Sequence, residues 1–196
     1  ALLAVSEQRQ TVATLDQFWA EVKGLRDLFK FEFFYPDTQE FQQQIDAELC
    51  REEPHWQSLL SERPDNARLI INRLSPKLGH VALTIFAEAY SVGTDILLRQ
   101  PDDEPLDETA FIDRCMSYGR QAYLQRRISS EASIGKLLYA NAWKMLSSRG
   151  LIDQREGRSK QAEALNQLIR RLEVIRALSI SGRGASTLRD FARETL

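Results

Sequence analysis

Apolar residues recur every three or four positions over one long stretch of the chain, which is the spacing of a single helix face. Ser75-Pro76 interrupts the helical pattern before this stretch, and a proline-flanked acidic segment follows it. The stripe is wide, so we expect a central helix whose polar face is solvated or carries salt links. The apolar stripe comprises Leu78, Val81, Ala82, Ile85, Phe86, Ala89, Val92, Gly93, Ile96 and Leu97, and the polar face Thr84, Glu88, Ser91 and Asp95.

The same period, with capping and stop residues, predicts helices along most of the chain. Asp37 and Asp107 are the expected N-caps of two of them, Ser129 or Ser130 is the expected cap of a third, and Gly150 is an expected stop. The fold class is therefore mainly α, a helical bundle in two lobes with at most short strands. The predicted helices cover about 15–29, 38–52, 65–74, 76–97, 108–126, 131–149 and 160–178.

Prolines and acidic residues mark the expected boundary between the two lobes. Residues 1–100 form the first lobe, 101–106 the linker, 107–178 the second lobe and 179–196 a flexible tail. Ile128 and Leu151-Ile152 are candidate short strands, which would make the second lobe a degenerate winged helix. The leucine seam of the last helix is narrow and is suited to packing on a partner.

The segment Phe29–Pro36 holds four of the nine Phe and one of the five Tyr residues. Alternation of Phe29, Phe31, Phe33 and Tyr35 predicts a short extended segment with one buried face. We expect this aromatic segment to pack against the core and hold it together.

Composition indicates a folded domain, with 43% hydrophobic and 28% charged residues. The net charge of −2 does not favour general nucleic-acid binding, although residues 101–196 hold 16 Lys and Arg against 13 Asp and Glu.

Cys50 and Cys115 are far apart, so two reduced thiols are expected rather than a disulfide or a zinc site. No apolar run is long enough to span a membrane. The start resembles the middle of a helix, which suggests a piece of a longer polypeptide.

Residue patterns typical of catalytic sites are incomplete. The fifth residue after His55 is Leu60 and that after His80 is Ile85, so neither histidine has the carboxylate of a His-x-x-x-x-Asp motif. Ser133-Ile134-Gly135-Lys136 matches Ser-x-x-Lys without its companion motifs. A phosphate-binding loop follows a strand, and no strand is predicted before Gly182-Arg183-Gly184. We predict no catalytic, metal-binding or cofactor-binding residues.

One basic cluster lies at the end of the helix predicted for 108–126. Arg120, Arg126 and Arg127 are candidates for contact with an anion or a lipid headgroup, since guanidinium forks suit phosphate groups. The alternative is structural, because cations in the last turn complement the helix dipole.

Several segments, in order, resemble the C-terminal region of the membrane-bound glycerol-3-phosphate acyltransferases of the large bacterial and mitochondrial type. The resemblance implies a helical C-terminal domain that packs on an upstream acyltransferase domain, peripherally on the cytoplasmic face of the inner membrane. That upstream domain would transfer an acyl group from acyl-CoA or acyl-carrier protein to glycerol 3-phosphate, making lysophosphatidate. The matching segments are Leu28–Phe34 with Phe41, His80–Val92, Tyr118–Ile128 and Ser130–Asp153.

The resemblance carries no catalytic residue onto this chain, because the family's His-x-x-x-x-Asp motif is absent here. We therefore expect the segment to be inactive by itself, with no cofactor. Two other functions remain open at this point: a stand-alone helical adaptor or oligomerisation module, and a winged-helix nucleic-acid-binding domain in residues 107–153.

Overall fold

The computed structural model describes residues 1–6, 14–63, 65–74, 79–101, 106–152, 163–175 and 177. Regular structure in these ranges is helical, with no strand, which confirms the mainly α fold. Packing divides the chain into two compact units, Ala1–Leu78 and Gly79–Leu196.

The first unit contains five helices among its described residues. Helix α1 packs on α2 and α5, and α4 also packs on both. At the core, the rings of Phe18, Trp19 and Trp56 meet edge to face with centroids 5.1 to 5.9 Å apart. Trp56 is completely buried, and its indole N–H donates to Asp46 Oδ1 at 3.1 Å. The helices are α1 (Leu2–Ser6), α2 (Thr14–Leu28), α3 (Thr38–Glu52), α4 (Trp56–Glu62) and α5 (Asn66–Arg73).

The aromatic segment is a turn, so the prediction of an extended strand-like segment with one buried face is wrong. The N–H groups of Glu32 and Phe33 donate to the carbonyl of Phe29 at 2.9 and 3.2 Å, which extends the helical hydrogen bonding beyond α2. A turn does not place alternate residues on one face. Phe29 is consequently buried whereas Phe34 is fully exposed.

The end of this turn is fastened to α3. The Arg26 guanidinium lies 5.7 Å from the ring centroids of both Tyr35 and Phe41, and it donates to the carbonyl of Pro36 at 2.9 Å. The Asp37 side chain then accepts from the Glu40 N–H at 2.9 Å, which confirms the predicted cap.

In the second unit, the long helix α6 packs against both α7 and α8, which also pack on each other. Asp107 caps α7 as predicted. Gly150 stops α8 at φ +69°, and the N–H of Leu151 donates back to the Leu146 carbonyl at 3.0 Å. The elements are α6 (Gly79–Leu98), α7 (Glu108–Leu124), a short 3₁₀ helix (Glu131–Ser133), α8 (Lys136–Ser148) and α9 at 163–175.

The observed units differ from the predicted lobes, because the sequence assigned α6 to the first lobe. Helix α6 packs on α7 and α8, which come later in the chain. Residues 102–105 of the expected linker, and the tail with Gly182-Arg183-Gly184, lie outside the described residues.

The winged-helix interpretation is not supported by the second unit. Ile128 and Leu151 are buried but lie in turn and irregular structure, so neither forms the expected strand. The single helix predicted for 131–149 is divided at Ile134 and Gly135, which are extended. In α9, the seam residues Leu165, Leu168 and Leu172 are already buried.

Gly119 permits a close approach between α7 and α8. A Cβ atom at this position would lie 2.2 Å from the Tyr139 hydroxyl and 3.4 Å from its Cζ, and Tyr139 is fully buried. We expect Gly119→Ala to lower the free energy of unfolding by about 1–2 kcal/mol, because overpacking outweighs the gain in helix propensity. Chemical denaturation measures this change. Tyr139→Phe in the Gly119→Ala background should recover most of the loss, and an unchanged loss would contradict the steric explanation.

The same interior predicts a loss of stability at alkaline pH. Burial raises the pKa of Cys115 and of Tyr139, the latter raised further by neighbouring Cys115, above their ordinary values of 9.0 and 10.0. Both groups therefore bind protons more tightly in the folded state, so the unfolding free energy falls as pH rises through these ordinary values. The slope approaches about 1.4 kcal/mol per pH unit for each group.

Urea titrations at pH values from neutral to strongly alkaline test this pH dependence. A Cys115→Ala, Tyr139→Phe double variant should show a flatter decline than the unmodified chain. Identical slopes would rule out these two groups as the cause.

Candidate functional site

The polar face predicted for α6 is largely buried, so the prediction of a solvated face is wrong. Glu88 is completely buried and Thr84 is 1% exposed, whereas Ser91 and Asp95 are half-buried. The reason is tertiary: α7, α8 and the 3₁₀ helix all pack against α6. A fully buried carboxylate requires compensating hydrogen bonds.

Four donors from the connection between α7 and α8 surround the Glu88 carboxylate. Its Oε1 accepts from the N–H and the Oγ–H of Ser129, both at 2.7 Å. Its Oε2 accepts from the Ser130 N–H at 3.2 Å and from the Ser133 Oγ–H at 2.7 Å. Hydrogen bonds to an ionised group are about twice as strong as neutral ones. We call this arrangement, formed by Glu88, Ser129, Ser130 and Ser133, the Glu88 cage.

The local sequence explains why this connection can receive a carboxylate. Ser130 caps the 3₁₀ helix, where its Oγ accepts from the Ala132 N–H at 3.2 Å. The N–H groups of Ser129 and Ser130 precede this helix and take no part in its hydrogen bonds. Both donate to the Glu88 carboxylate.

The cage accounts for the Ser-x-x-Lys pattern. The Ser133 hydroxyl is fully buried and donates to Glu88, whereas Lys136 begins α8 with an exposed side chain. A nucleophilic serine must reach a base and a substrate. Ser133 is instead engaged inside the protein, so its observed contacts are structural.

A second set of polar contacts links the C-terminal part of α6 to α7. The Tyr118 hydroxyl donates to Asp95 Oδ2 at 2.8 Å, and the Arg127 guanidinium donates to the Tyr118 oxygen at 2.6 Å. The Arg127 guanidinium also lies 3.8 Å from Asp95 Oδ2. The Arg99 guanidinium lies over the Tyr118 ring, 5.2 Å from its centroid.

The structure separates the three arginines of the predicted basic cluster. Arg127 folds back onto Tyr118, with its guanidinium 4.7 Å from the ring centroid. Arg126 is exposed in the following turn at φ +58°, and Arg120 is exposed on α7. The sequence did not reveal that Arg99 and Arg127 both contact the Tyr118 ring, because Arg99 follows α6 whereas Arg127 follows α7.

The two histidines lie in different units of the chain. His55 is exposed just before α4, and the backbone of His80 lies in α6. No group of three His, Cys, Asp or Glu side chains that could hold a metal ion occurs among the described residues. None of the described helices meets the length and hydropathy needed for a membrane span.

The Glu88 cage predicts a large loss of stability when its acceptor is removed. We expect Glu88→Ala to lower the unfolding free energy by about 3–5 kcal/mol, because four donors lose a charged acceptor in a buried place. Glu88→Gln, which keeps one oxygen acceptor, should cost less. Thermal and urea denaturation measure both changes.

An exposed glutamate of the same connection provides the control. Glu131→Ala should change the unfolding free energy by less than about 0.5 kcal/mol. Added formate or acetate should raise the melting temperature of Glu88→Ala more than that of the unmodified chain, because either anion can occupy the vacated cage. Equal effects of Glu88→Ala and Glu131→Ala would refute the cage as an anchor.

Comparison with known proteins identifies the family. A model of the family described as "Glycerol-3-phosphate acyltransferase C-terminal region" matches residues 1–155. Proteins described as "Putative acyltransferase plsB1" from Mycobacterium bovis and from two strains of Mycobacterium tuberculosis are 27% identical to the chain over 173 residues.

The match covers 88% of this chain but 27% of each relative, so the chain spans about a quarter of their length. No solved structure matches the chain. Because the family match extends over residues 1–155 of 196, the chain belongs to the family of glycerol-3-phosphate acyltransferase C-terminal regions.

Proposed function

We propose that this chain is a non-catalytic helical part of a glycerol-3-phosphate 1-O-acyltransferase, and that it supports an upstream acyltransferase domain of the same polypeptide. The parent enzyme would transfer an acyl group from acyl-CoA or acyl-carrier protein to glycerol 3-phosphate. This reaction makes lysophosphatidate, the first intermediate of phospholipid synthesis.

The observation that carries the proposal is the internal use of the chain's best candidate catalytic groups. The buried carboxylate of Glu88 and the hydroxyl of Ser133 are hydrogen-bonded to each other. Neither His55 nor His80 has an aspartate five positions later. A general base must reach a substrate proton within hydrogen-bonding distance, and Glu88 is completely enclosed.

We also propose a peripheral position on the cytoplasmic face of the inner membrane. Two features support this position: the described helices are unsuited to span a bilayer, and residues 101–196 hold an excess of basic residues. Basic groups near a membrane surface are attracted to anionic lipids.

Acyl-transfer assays of the chain and of its parent test this proposal. The purified 196-residue chain should form no lysophosphatidate from glycerol 3-phosphate with either acyl donor, whereas the parent enzyme should be active. In the parent, Glu88→Ala should lower activity only as far as it lowers the folded fraction, with KM unchanged. Glu131→Ala is the matched control and should leave activity and stability unchanged.

Two outcomes would contradict the proposal. Lysophosphatidate formation by the isolated chain would show that it is catalytic. A fall in kcat of the Glu88→Ala parent at a temperature where it remains fully folded would show that this region contributes directly to the reaction.

Sedimentation separates the proposal from the alternative of an adaptor or oligomerisation module. The proposed role predicts that the chain binds a separately expressed upstream acyltransferase domain. A saturable homodimer without affinity for that domain would favour the adaptor. The nucleic-acid-binding alternative lacks structural support, because the described residues of the second unit contain no strand that could form a wing.

A further inference from the structure

The aromatic segment of the first unit leaves much of its apolar surface uncovered. Three phenylalanines occupy four consecutive positions after Lys30. Phe34 is fully exposed, and Phe31 and Phe33 are only half-buried. A single exposed apolar side chain is ordinary on a protein surface, whereas an apolar patch marks a place where a partner binds.

Contacts between rings continue this patch onto α3. The rings of Phe33 and Tyr35 meet edge to face with their centroids 6.1 Å apart, and those of Tyr35 and Phe41 with theirs 5.1 Å apart. Ile45 lies one helical turn after Phe41, on the same side of α3. Phe34 lies between Phe33 and Tyr35 in the chain, so its backbone is part of the same place. We call this surface, formed by Phe33, Phe34, Tyr35, Phe41 and Ile45, the aromatic surface.

Helix α3 gives a second observation, which does not depend on Phe34. Among its fifteen residues, all of which the structure describes, Leu49 alone is buried. Phe41 and Ile45 pack against the core of the first unit and remain partly exposed. A helix in a protein gains most of its stability by burying an apolar face. Part of the apolar face of α3 is therefore still available to a partner.

Hydrogen bonds on both sides of Phe34 hold the backbone of the turn. The Phe33 N–H donates to the Phe29 carbonyl at 3.2 Å, and the Arg26 guanidinium donates to the Pro36 carbonyl at 2.9 Å. The exposed ring is thus presented from a fixed turn. Preorganisation of this kind lowers the entropic cost of binding, and aromatic side chains are frequent anchors of protein interfaces.

Charge favours a protein partner over a membrane at this surface. The first unit, residues 1–78, holds 9 Lys and Arg against 13 Asp and Glu. Near the turn, Asp37 and Glu40 are exposed, as is Lys30, whose Nζ lies over the Phe31 ring. An anionic lipid surface repels an acidic unit. A protein surface with an apolar pocket flanked by basic residues complements it.

The length of the relatives indicates which protein surface this is. The matched residues make up 27% of each relative, and the family is that of a C-terminal region. In the proposed parent, most of the polypeptide therefore lies upstream of Ala1. That part would join the first unit through α1, which packs on α2, and α2 leads into the turn. A domain tethered in this way is present at a high effective concentration.

We propose that the aromatic surface, with Phe34 as its anchor, docks on an apolar pocket of the upstream acyltransferase domain of the same polypeptide. Basic residues flank that pocket. Burial of the Phe34 ring and of the uncovered part of α3 provides the free energy of docking. This inference rests on the proposed function and deepens it, because it names the surface through which the supporting role acts.

Photo-crosslinking of the parent enzyme in its native membrane tests this assignment. Phe34→p-benzoylphenylalanine places a photoreactive ring on the aromatic surface. Leu69→p-benzoylphenylalanine is the matched control, because Leu69 is an exposed apolar residue on α5 of the same unit. After irradiation and digestion, mass spectrometry should find position 34 joined to a peptide from upstream of Ala1, and position 69 joined to such peptides in much lower yield.

Melting temperatures of the isolated chain and of the parent give a second measurement. Phe34→Ala should leave the melting temperature of the isolated 196-residue chain unchanged, because the ring is fully exposed there. In the parent, the same change should lower the melting temperature of this region by about 3–6 °C, because a docked ring is lost. Leu69→Ala should affect the chain and the parent equally.

Four results would overturn the proposal. Three concern position 34: crosslinks mainly to lipid, crosslinks mainly to a second copy of the chain, or upstream crosslinks no more frequent than those from position 69. The fourth is an equal effect of Phe34→Ala on the chain and on the parent. Any of these results in an active parent would remove this surface and leave the proposed function intact, whereas lysophosphatidate formation by the isolated chain would remove the function itself.

Discussion

The second unit depends on the burial of one carboxylate. Glu88 has no exposed surface, and its two oxygens accept four hydrogen bonds from the connection between α7 and α8. A buried charge is tolerable only when such donors surround it. The path of the connection, the burial of Ser133 and the division between the 3₁₀ helix and α8 all follow from bringing these donors to one place.

The cage also explains why residues that resemble a catalytic set have no catalytic arrangement here. Ser133 and Glu88 are hydrogen-bonded to each other inside the unit, while Lys136 points away into solvent. The family match identifies the chain as a glycerol-3-phosphate acyltransferase C-terminal region. A region of this kind can be well ordered because its polar interior serves folding.

Two carboxylates of α6 hold α7 and the connection that follows it, at different points along α6. Asp95 accepts a hydrogen bond from the Tyr118 hydroxyl, and Glu88 accepts hydrogen bonds from the serines that follow Arg127. Together the two carboxylates hold the turn after α7 against α6, and Arg126 lies in this turn at φ +58°. The turn after α7 thus depends on the buried polar interior for its position.

Local sequence determined the helices and many of their ends. Three-and-four periodicity located α3, α6 and α7, and capping chemistry identified Asp37, Asp107 and Gly150, because these signals act within a few residues. The family resemblance was also readable from ordered segments of the sequence, and the match over residues 1–155 confirms it. Tertiary structure alone decided which polar residues are buried. Glu88 and the serines are 41 or more positions apart, and Arg99 and Arg127 meet only through Tyr118, so no local pattern could reveal these contacts.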